Sequence, residues 1–152
     1  MRIRPINSNE ILIISQCVEI IINEKAWQVY GINRSEADDI LTSMPDKIYV
    51  AERDNIVYGF VTLRLQGMGN IGAYVRMLAV HEEWRGRSIG RALIASIQQA
   101  AKEQGDKNLF LICSTDNSNA RFFYEHIGFE PVGILPDLVV AGHDEFLYRK
   151  IL

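Results

Sequence analysis

A basic, glycine-containing segment, Arg85–Leu93, carries the clearest chemical signal in this 152-residue chain. It follows an apolar, strand-like run and leads into a helical pattern that continues to about Gln104. The first backbone N–H groups of a helix lack intrahelical partners, and the helix dipole makes that end positive. Arginine side chains add charge and bidentate donors for phosphate. The segment therefore predicts a binding site for a phosphorylated small molecule.

The glycine spacing separates this segment from two common phosphate-binding motifs. No Gly-Lys-Ser/Thr follows, as it does in a P-loop, and the three-glycine spacing of a dinucleotide fingerprint is absent. A basic loop that only caps the helix, with Ser88 as the N-cap, would contain the same residues. The segment taken alone leaves both interpretations open.

A second segment, Asn117–Phe129, when combined with the first, resembles the GNAT superfamily of N-acetyltransferases. The acyl-CoA loop of that family has the form Arg/Gln-x-x-Gly-x-Gly/Ala, and its later helix often has the form Asn-x-x-Ala-x-x-x-Tyr-x-x-x-Gly-Phe. The matching positions of this chain are Arg85, Gly90, Asn117, Ala120, Tyr124, Gly128 and Phe129. One departure is visible: Ser88 replaces the first glycine of the loop, where its hydroxyl could still cap the helix or donate to phosphate.

The order of predicted elements favours an α/β fold with a mixed central sheet and helices on both faces. The resemblance implies the same fold, with a mostly antiparallel sheet and a splayed parallel strand pair that admits acyl-CoA. Strands are predicted at 2–5, 47–52, 56–65, 71–80, 109–113, 129–135 and 145–151, with a turn at 67–70. Helices are predicted from Asn7 or Ser8 to 22, from Ser35 to 43, and over 88–104 and 117–127. No repeat or linker interrupts the chain, so residues 1–152 are expected to form a single domain.

The resemblance implies that the chain transfers an acetyl group from acetyl-CoA to an amine. Tyr124 would act as the general acid for the leaving thiolate, because a tyrosine with a reference pKa of about 10 is protonated at neutral pH. The same residue could instead be a half-buried aromatic of an amphipathic helix. The positions expected to contact acetyl-CoA are Leu78, Ala79, Val80, Arg85, Gly86, Arg87, Ser88, Ile89, Gly90, Arg91, Asn117, Ala120 and Tyr124.

The acceptor side of the site gives weaker signals. Tyr74, Arg76 and Leu78 are predicted to share one strand face, and Arg76 could pair with a substrate carboxylate or with an internal acid. Members of the family place a basic carboxylate on this strand or on the next, but neither strand is acidic here. The general base is therefore unassigned, and water, Glu24, His143 or Asp144 could serve. The residues expected to contact the acceptor are Trp27, Tyr30, Tyr74 and Arg76.

Composition restricts the partners and the cellular setting. A net charge of −3 with a pI near 5.6 argues against nucleic acid. Cys17 and Cys113 are too few and too isolated for a disulfide framework or a metal site, and both are predicted to be buried thiols. Met1–Pro5 does not resemble a signal peptide, and no apolar run reaches membrane-spanning length. We expect a cytoplasmic enzyme without metal or membrane partners, and the resemblance adds a possible homodimer formed through the C-terminal strands.

Three functions fit these observations. The leading hypothesis is acetylation of a primary amine on a small molecule by direct attack. The first alternative is acetylation of a protein lysine or N-terminus. The second is a non-catalytic acyl-CoA-binding sensor module, which the missing conventional base favours and Tyr124 disfavours.

Overall fold

The computed structural model describes residues 1–152, which form eight strands, four α-helices and two 3₁₀ segments. The strands are β1 (Arg2–Ile6), β2 (Lys47–Arg53), β3 (Ile56–Arg64), β4 (Gly67–Asn70), β5 (Ala73–Val80), β6 (Asn108–Ser114), β7 (Glu130–Val140) and β8 (His143–Ile151). The α-helices are α1 (Ile11–Asn23), α2 (Arg34–Thr42), α3 (Ile89–Glu103) and α4 (Ser118–His126). Two 3₁₀ segments, Lys25–Tyr30 and Glu82–Trp84, complete the set. None of the helices combines the length and apolar character needed to cross a bilayer.

Seven strands form one mixed sheet in the order β1-β2-β3-β5-β6-β8-β7. Every neighbouring pair is antiparallel except β5 and β6, which run parallel and pair at only three positions, from Ala73↔Leu109 to Val75↔Leu111. The predicted α/β fold, with its mostly antiparallel sheet and one splayed parallel pair, is confirmed.

Two apolar cores cover the opposite faces of the sheet. One forms under α3, whose Leu93, Ile94 and Ile97 are almost completely buried at helical spacing. The other forms under α1 and α2 and contains Cys17. Cys113 belongs to the first core, so the prediction that both cysteines are free, buried thiols is confirmed.

Two helix starts differ from the prediction, and only in α2 does a neighbouring side chain form a better cap. Asn33, not Ser35, caps α2: its side chain accepts from the Glu36 N–H at 2.9 Å, while the Glu36 carboxylate accepts from the Asn33 N–H at 2.9 Å. Neither Asn7 nor Ser8 caps α1, which begins after Glu10. The Glu10 side chain still accepts from the Asn7 N–H at 3.0 Å, so only half of the predicted box forms.

Two predicted boundaries in the sheet also change. The segment predicted as a turn at 67–70 is the short strand β4. Strand β7 continues beyond the predicted Leu135 to Val140, because it pairs with β8 up to Val140↔His143 across an irregular register. The longer hairpin extends the edge of the sheet beside the 3₁₀ segment Lys25–Tyr30, which β7 contacts.

A β-bulge in β5 determines which side chains share a face. Thr62 pairs with Met77 and Leu63 pairs with Val75, so Arg76 is the extra residue. Val75 faces the α3 core, whereas Met77, two positions later, faces the α1 core. The prediction that Tyr74, Arg76 and Leu78 share one face is therefore wrong, because a bulge shifts the alternation by one residue.

Candidate functional site

A cavity of about 810 Å³ opens where β5 and β6 separate. Beyond the Val75↔Leu111 pair the two strands share no further ladder positions, so their facing edges border the cavity. The start of α3, one face of α4 and the 3₁₀ segment Lys25–Tyr30 close its other sides. The cavity thus brings the two sequence segments, Arg85–Leu93 and Asn117–Phe129, to one place.

Most of the predicted donor-binding residues line this cavity. They are Leu78, Ala79, Val80, Arg85, Gly86, Ser88, Ile89, Gly90, Arg91, Asn117, Ala120 and Tyr124. Arg87 does not line it, because its guanidinium carbon lies over the Trp84 ring, 4.7 Å from the centroid. Trp84, which the sequence analysis did not include, lines the cavity and stacks on Tyr58 with the ring centroids 4.1 Å apart.

The start of α3 presents free backbone donors to the cavity. The first N–H to bond back into the helix is that of Ala92, which donates to the Ser88 carbonyl at 3.1 Å. The preceding N–H groups of Ile89, Gly90 and Arg91 have no partner within the helix. Together with the positive end of the helix dipole they form an arrangement that suits a phosphate or diphosphate.

Ser88 occupies the N-cap position but does not cap α3 with its side chain. Its φ is +61°, in the left-handed region, and its hydroxyl makes no cap hydrogen bond. The expectation that the Ser88 hydroxyl caps the helix is therefore wrong. The backbone at this position has the conformation that glycine adopts without strain, which accounts for the glycine expected there in the loop motif.

We expect Ser88→Gly to stabilise the protein by about 0.5–1 kcal/mol, because relief of the left-handed strain outweighs the greater freedom of glycine in the unfolded chain. For a chain of this size the melting temperature should rise by about 1–4 °C. Thermal unfolding followed by circular dichroism measures the change. Ser15→Gly, on the exposed face of α1, is the matched control and should lower the melting temperature. A lower melting temperature for Ser88→Gly would contradict the assignment of strain.

Arg85 connects the loop to its surroundings. Its Nε donates to the Val80 carbonyl at 3.0 Å, and its Nη2 donates to Glu24 at 2.5 Å. Glu24, one of the candidate bases, also accepts from the Ala26 N–H at 3.2 Å and so caps the 3₁₀ segment. The Glu24 carboxylate is therefore occupied in holding the loop and the 3₁₀ segment together.

Tyr124 lies on α4 with its ring half-buried among Phe123, Phe129 and Tyr148. Its hydroxyl borders the cavity region and has no hydrogen-bond partner in the protein. Burial raises the pKa of this phenol well above its ordinary value, so the hydroxyl stays protonated at neutral pH. An unpartnered, protonated hydroxyl is suited to donate to a ligand atom.

Asn117 caps α4 and borders the cavity at the same time. Its Oδ1 accepts from the Ala120 N–H at 3.1 Å. Its amide nitrogen makes no hydrogen bond within the protein and is free to donate to a ligand.

On the acceptor side, Trp27, Tyr30 and Arg76 line the cavity, whereas Tyr74 does not. Tyr74 lies where β5 and β6 are still paired, before the gap opens, so its predicted acceptor contact is not supported by its position. Arg76 donates from Nε to Asp46 at 2.7 Å. The side chain of Asp46 is 2% exposed and also binds Arg64, so Arg76 is paired with an internal acid.

Sequence reasoning missed one buried acid of this region, Glu145 of β8. It is 1% exposed and accepts a hydrogen bond from the Tyr30 hydroxyl. His143 Nε2 lies 4.0 Å from the same carboxylate and is hydrogen-bonded to Ser114 Oγ at 2.8 Å. Glu145 stood at the predicted beginning of a strand, where an acid usually faces solvent. Only its pairing with Ser114, on the inner strand β6, places it inside.

Asp144, the remaining candidate base, is used within the β7–β8 hairpin. Its Oδ1 accepts from the Asp137 N–H at 3.2 Å, and its carbonyl accepts from the Thr115 N–H at 3.0 Å. These bonds stabilise the hairpin and the β6–α4 turn, and they assign the side chain a structural role.

The similarity of this chain to known proteins covers a range that includes both segments, Arg85–Leu93 and Asn117–Phe129. The acetyltransferase (GNAT) family model matches residues 16–129. An N-acetyltransferase of Methanocaldococcus jannaschii, itself uncharacterized, is 32% identical over 107 residues, which are 70% of this chain and 67% of the relative. An N-alpha-acetyltransferase of Sulfurisphaera tokodaii is 30% identical over 109 residues, or 65% of each chain.

Several curated relatives are matched over only part of their length. Structural similarity, in contrast, covers nearly the whole chain even where the sequence identity is low. The chain spans 21%, 65% and 50% of the lengths of three curated relatives that it matches. Among solved structures, an aminoglycoside 6′-N-acetyltransferase complexed with coenzyme A superposes with a TM-score of 0.82 at 16% identity. That superposition covers 99% of this chain and 97% of the other.

Proposed function

This chain belongs to the GNAT family of acetyltransferases, and from that premise we propose that it acetylates the primary amine of a small molecule. Its acyl donor is acetyl-CoA, which supplies the acetyl group as a thioester. The observation that carries the proposal is the cavity at the β5–β6 gap, with free helix N–H groups at one side and the unpartnered Tyr124 hydroxyl at another. In this proposal residues 1–152 act as one catalytic domain.

The donor would lie along the gap between the two strands. The N–H groups of Ile89, Gly90 and Arg91 would bind its diphosphate, because they are free donors at the positive end of α3. The free edge of β5 at Leu78–Val80 and the amide nitrogen of Asn117 would hydrogen-bond the pantetheine arm. These contacts hold the thioester near Tyr124 and so convert the reaction of two molecules into one within a complex.

The chemical step is a direct attack of the neutral amine on the thioester carbonyl carbon. The new C–N bond forms as the C–S bond breaks, the attacking nitrogen loses one proton, and the sulfur needs a proton as it leaves. The proton released by the nitrogen goes to solvent, from which the proton donor is restored after the step. Tyr124 is proposed to supply this proton from its hydroxyl, which stays protonated at neutral pH and has no competing partner in the protein. Backbone N–H groups on the unpaired edge of β5 are suited to stabilise the negative charge on the carbonyl oxygen.

A second candidate acceptor is the α-amine of a protein N-terminus, or a lysine side chain. The observation that favours it is the Sulfurisphaera tokodaii relative, which is named an N-alpha-acetyltransferase. A third candidate is a binding module that holds acetyl-CoA without turnover. It is favoured by the absence of an acidic residue on the cavity-facing parts of β5 and β6.

One experiment separates these functions. Purified protein is incubated with acetyl-CoA and, in separate reactions, with tyramine, spermidine or kanamycin. Two peptides are tested in the same way: one has a free α-amine, and the other has an acetylated N-terminus and one lysine, so that only its lysine amine can react. Free thiol release and product mass are measured. We expect thiol release with at least one small amine at a higher rate than with either peptide. Faster reaction with a peptide would support protein acetylation, and acetyl-CoA binding without any thiol release would support the binding module. Failure to bind acetyl-CoA would overturn all three.

A further inference from the structure

The buried carboxylate of Glu145 has no role in the steps described above, yet it lies beside the acceptor side of the cavity. Glu145 pairs in register with Ser114, and Ser114 lines the cavity at the end of β6. Tyr30, which lines the cavity from the opposite side, donates its hydroxyl to Glu145 Oε1. The second carboxylate oxygen, Oε2, is not among the buried polar atoms that lack a hydrogen-bond partner. An almost completely buried acid that binds a hydroxyl group at the cavity wall is a candidate for proton transfer.

Tyr30 and Tyr124 line the same cavity, and Glu145 is connected to it through the Tyr30 hydroxyl. Cys113 and Ser114, the residues of β6 that pair with Phe146 and Glu145, line this cavity as well. The Tyr30–Glu145 pair therefore borders the cavity that also contains the proposed general acid.

Amine acetylation requires a proton acceptor at this place. A primary alkylamine is mostly protonated at neutral pH and has no lone pair to attack until it loses a proton. The other carboxylates near the cavity are engaged: Glu24 with Arg85, Asp46 with Arg64 and Arg76, and Asp144 within its hairpin. Glu145 differs from them because its partner at the cavity is a neutral hydroxyl group, which can pass a proton, and not a guanidinium.

We propose that Glu145 takes the proton of the acceptor ammonium through the hydroxyl of Tyr30, an inference that rests on the proposed acetyl transfer to an amine. One N–H bond of the ammonium breaks and its proton goes to Tyr30 Oη, while the proton of Tyr30 moves to Glu145 Oε1. The amine gains its lone pair, Glu145 becomes neutral, and Tyr30 ends as it began. Glu145 thus acts through Tyr30, as a positioning residue that also stores the proton.

The groups around Glu145 offer a way out for that proton. His143 faces it from the same strand, with Nε2 at 4.0 Å, and Ser114 faces it from β6. On its other side, His143 Nδ1 lies 3.7 Å from Asp116, whose side chain is 83% exposed. His143 and Asp116 therefore form a polar route from the neighbourhood of Glu145 to solvent, along which the proton can leave through an intervening water molecule.

The test compares two acceptors of nearly equal shape, ethylamine and 2,2,2-trifluoroethylamine. Ethylamine is protonated at neutral pH. The fluorines lower the basicity of trifluoroethylamine, which is therefore largely neutral and needs no base to remove a proton before its nitrogen attacks. For Glu145→Gln we expect kcat/KM with ethylamine to fall by about 100-fold. With trifluoroethylamine it should stay within about threefold of the wild-type value, since its nitrogen already carries a lone pair. Tyr30→Phe should show the same contrast between acceptors.

Glu125→Gln is the matched control. Glu125 accepts the Tyr148 hydroxyl at 2.7 Å, so it is a second tyrosine–glutamate pair, but it lies outside the cavity. It should leave both rates unchanged. Acetyl-CoA affinity, measured by calorimetry, reports whether each variant is folded. If Glu145→Gln no longer binds acetyl-CoA, the contrast between the two acceptors is judged from Tyr30→Phe alone.

The outcomes separate the two levels of the proposal. Equal losses with both amines, or no loss with ethylamine, would overturn the role of Glu145 while leaving the acetyltransferase intact. A wild-type protein that acetylates neither these two amines nor tyramine, spermidine or kanamycin would overturn the proposed small-amine function, and this inference with it.

Discussion

Tyr124→Phe is expected to lower kcat by about 100-fold or more, a typical cost of removing a general acid, while changing the affinity for acetyl-CoA by less than about threefold. The hydroxyl has no hydrogen-bond partner in the protein, so its removal leaves no buried polar group unsatisfied. The phenylalanine ring keeps the contacts with Phe129 and Tyr148. The loss should therefore appear in the chemical step and not in folding or donor binding.

Steady-state kinetics at saturating acetyl-CoA, together with calorimetric binding of CoA, measure the two quantities separately. Tyr148→Phe is the matched control, because Tyr148 is a neighbouring tyrosine whose hydroxyl binds Glu125 outside the cavity. It should leave kcat unchanged. A Tyr124→Phe variant with weakened CoA binding and unchanged turnover at saturation would contradict the general-acid role and make Tyr124 a binding residue.

Gly90→Glu is expected to weaken acetyl-CoA binding by about 100-fold or more, because two effects coincide at this residue. A Cβ on Gly90 would lie 3.1 Å from Phe123 Cζ, so any side chain presses α3 away from α4 at the cavity wall. A carboxylate beside the free N–H groups of α3 would also compete with the diphosphate for the same donors and repel it.

Gly90→Ala separates the two effects. It retains the crowding against Phe123 without the charge, and we expect an affinity loss of about 3- to 10-fold from the small shift of Phe123. Gly133→Glu, on the exposed strand β7 with open space around its Cβ, is the control for added charge and should bind normally. Direct titration with CoA gives all three affinities. Unchanged affinity in Gly90→Glu would place the diphosphate elsewhere.

The donor side of the site could be predicted from the sequence because its determinants are local. The loop, the start of α3 and the capping residue of α4 each lie within a few residues of the motif that marks them. Ser88 shows the limit of that reasoning: its residue type suggested a side-chain cap, but the left-handed backbone at this position prevents one. A serine that replaces glycine in such a loop is better predicted to keep the backbone of glycine.

The acceptor side could be predicted only in part: Trp27, Tyr30 and Arg76 line the cavity as expected. The acids that bind these and neighbouring side chains could not be predicted, because they depend on contacts between distant residues. Arg85 meets Glu24 across 61 positions, and Tyr30 meets Glu145 across 115. The bulge at Arg76 is an additional cause, because simple alternation along β5 assigns the wrong face to the residues on one side of it. Asp46, which lies between the end of α2 and the beginning of β2, gave no signal of its own, although it determines where Arg76 is held.

The narrow β5–β6 pairing has a consequence for how the chain folds and moves. The strands on one side of this seam all come from residues 2–80, and those on the other side all come from residues 108–151, so each half of the sheet is contiguous along the chain. Only three residue pairs join the two half-sheets, and helix α3, which connects them in sequence, supplies much of the core that they share. Opening at the seam would break few ladder hydrogen bonds, so the shared α3 core is the main contact that holds the two half-sheets together there. We therefore expect the domain to open first at this seam, with each half keeping its own strand pairing.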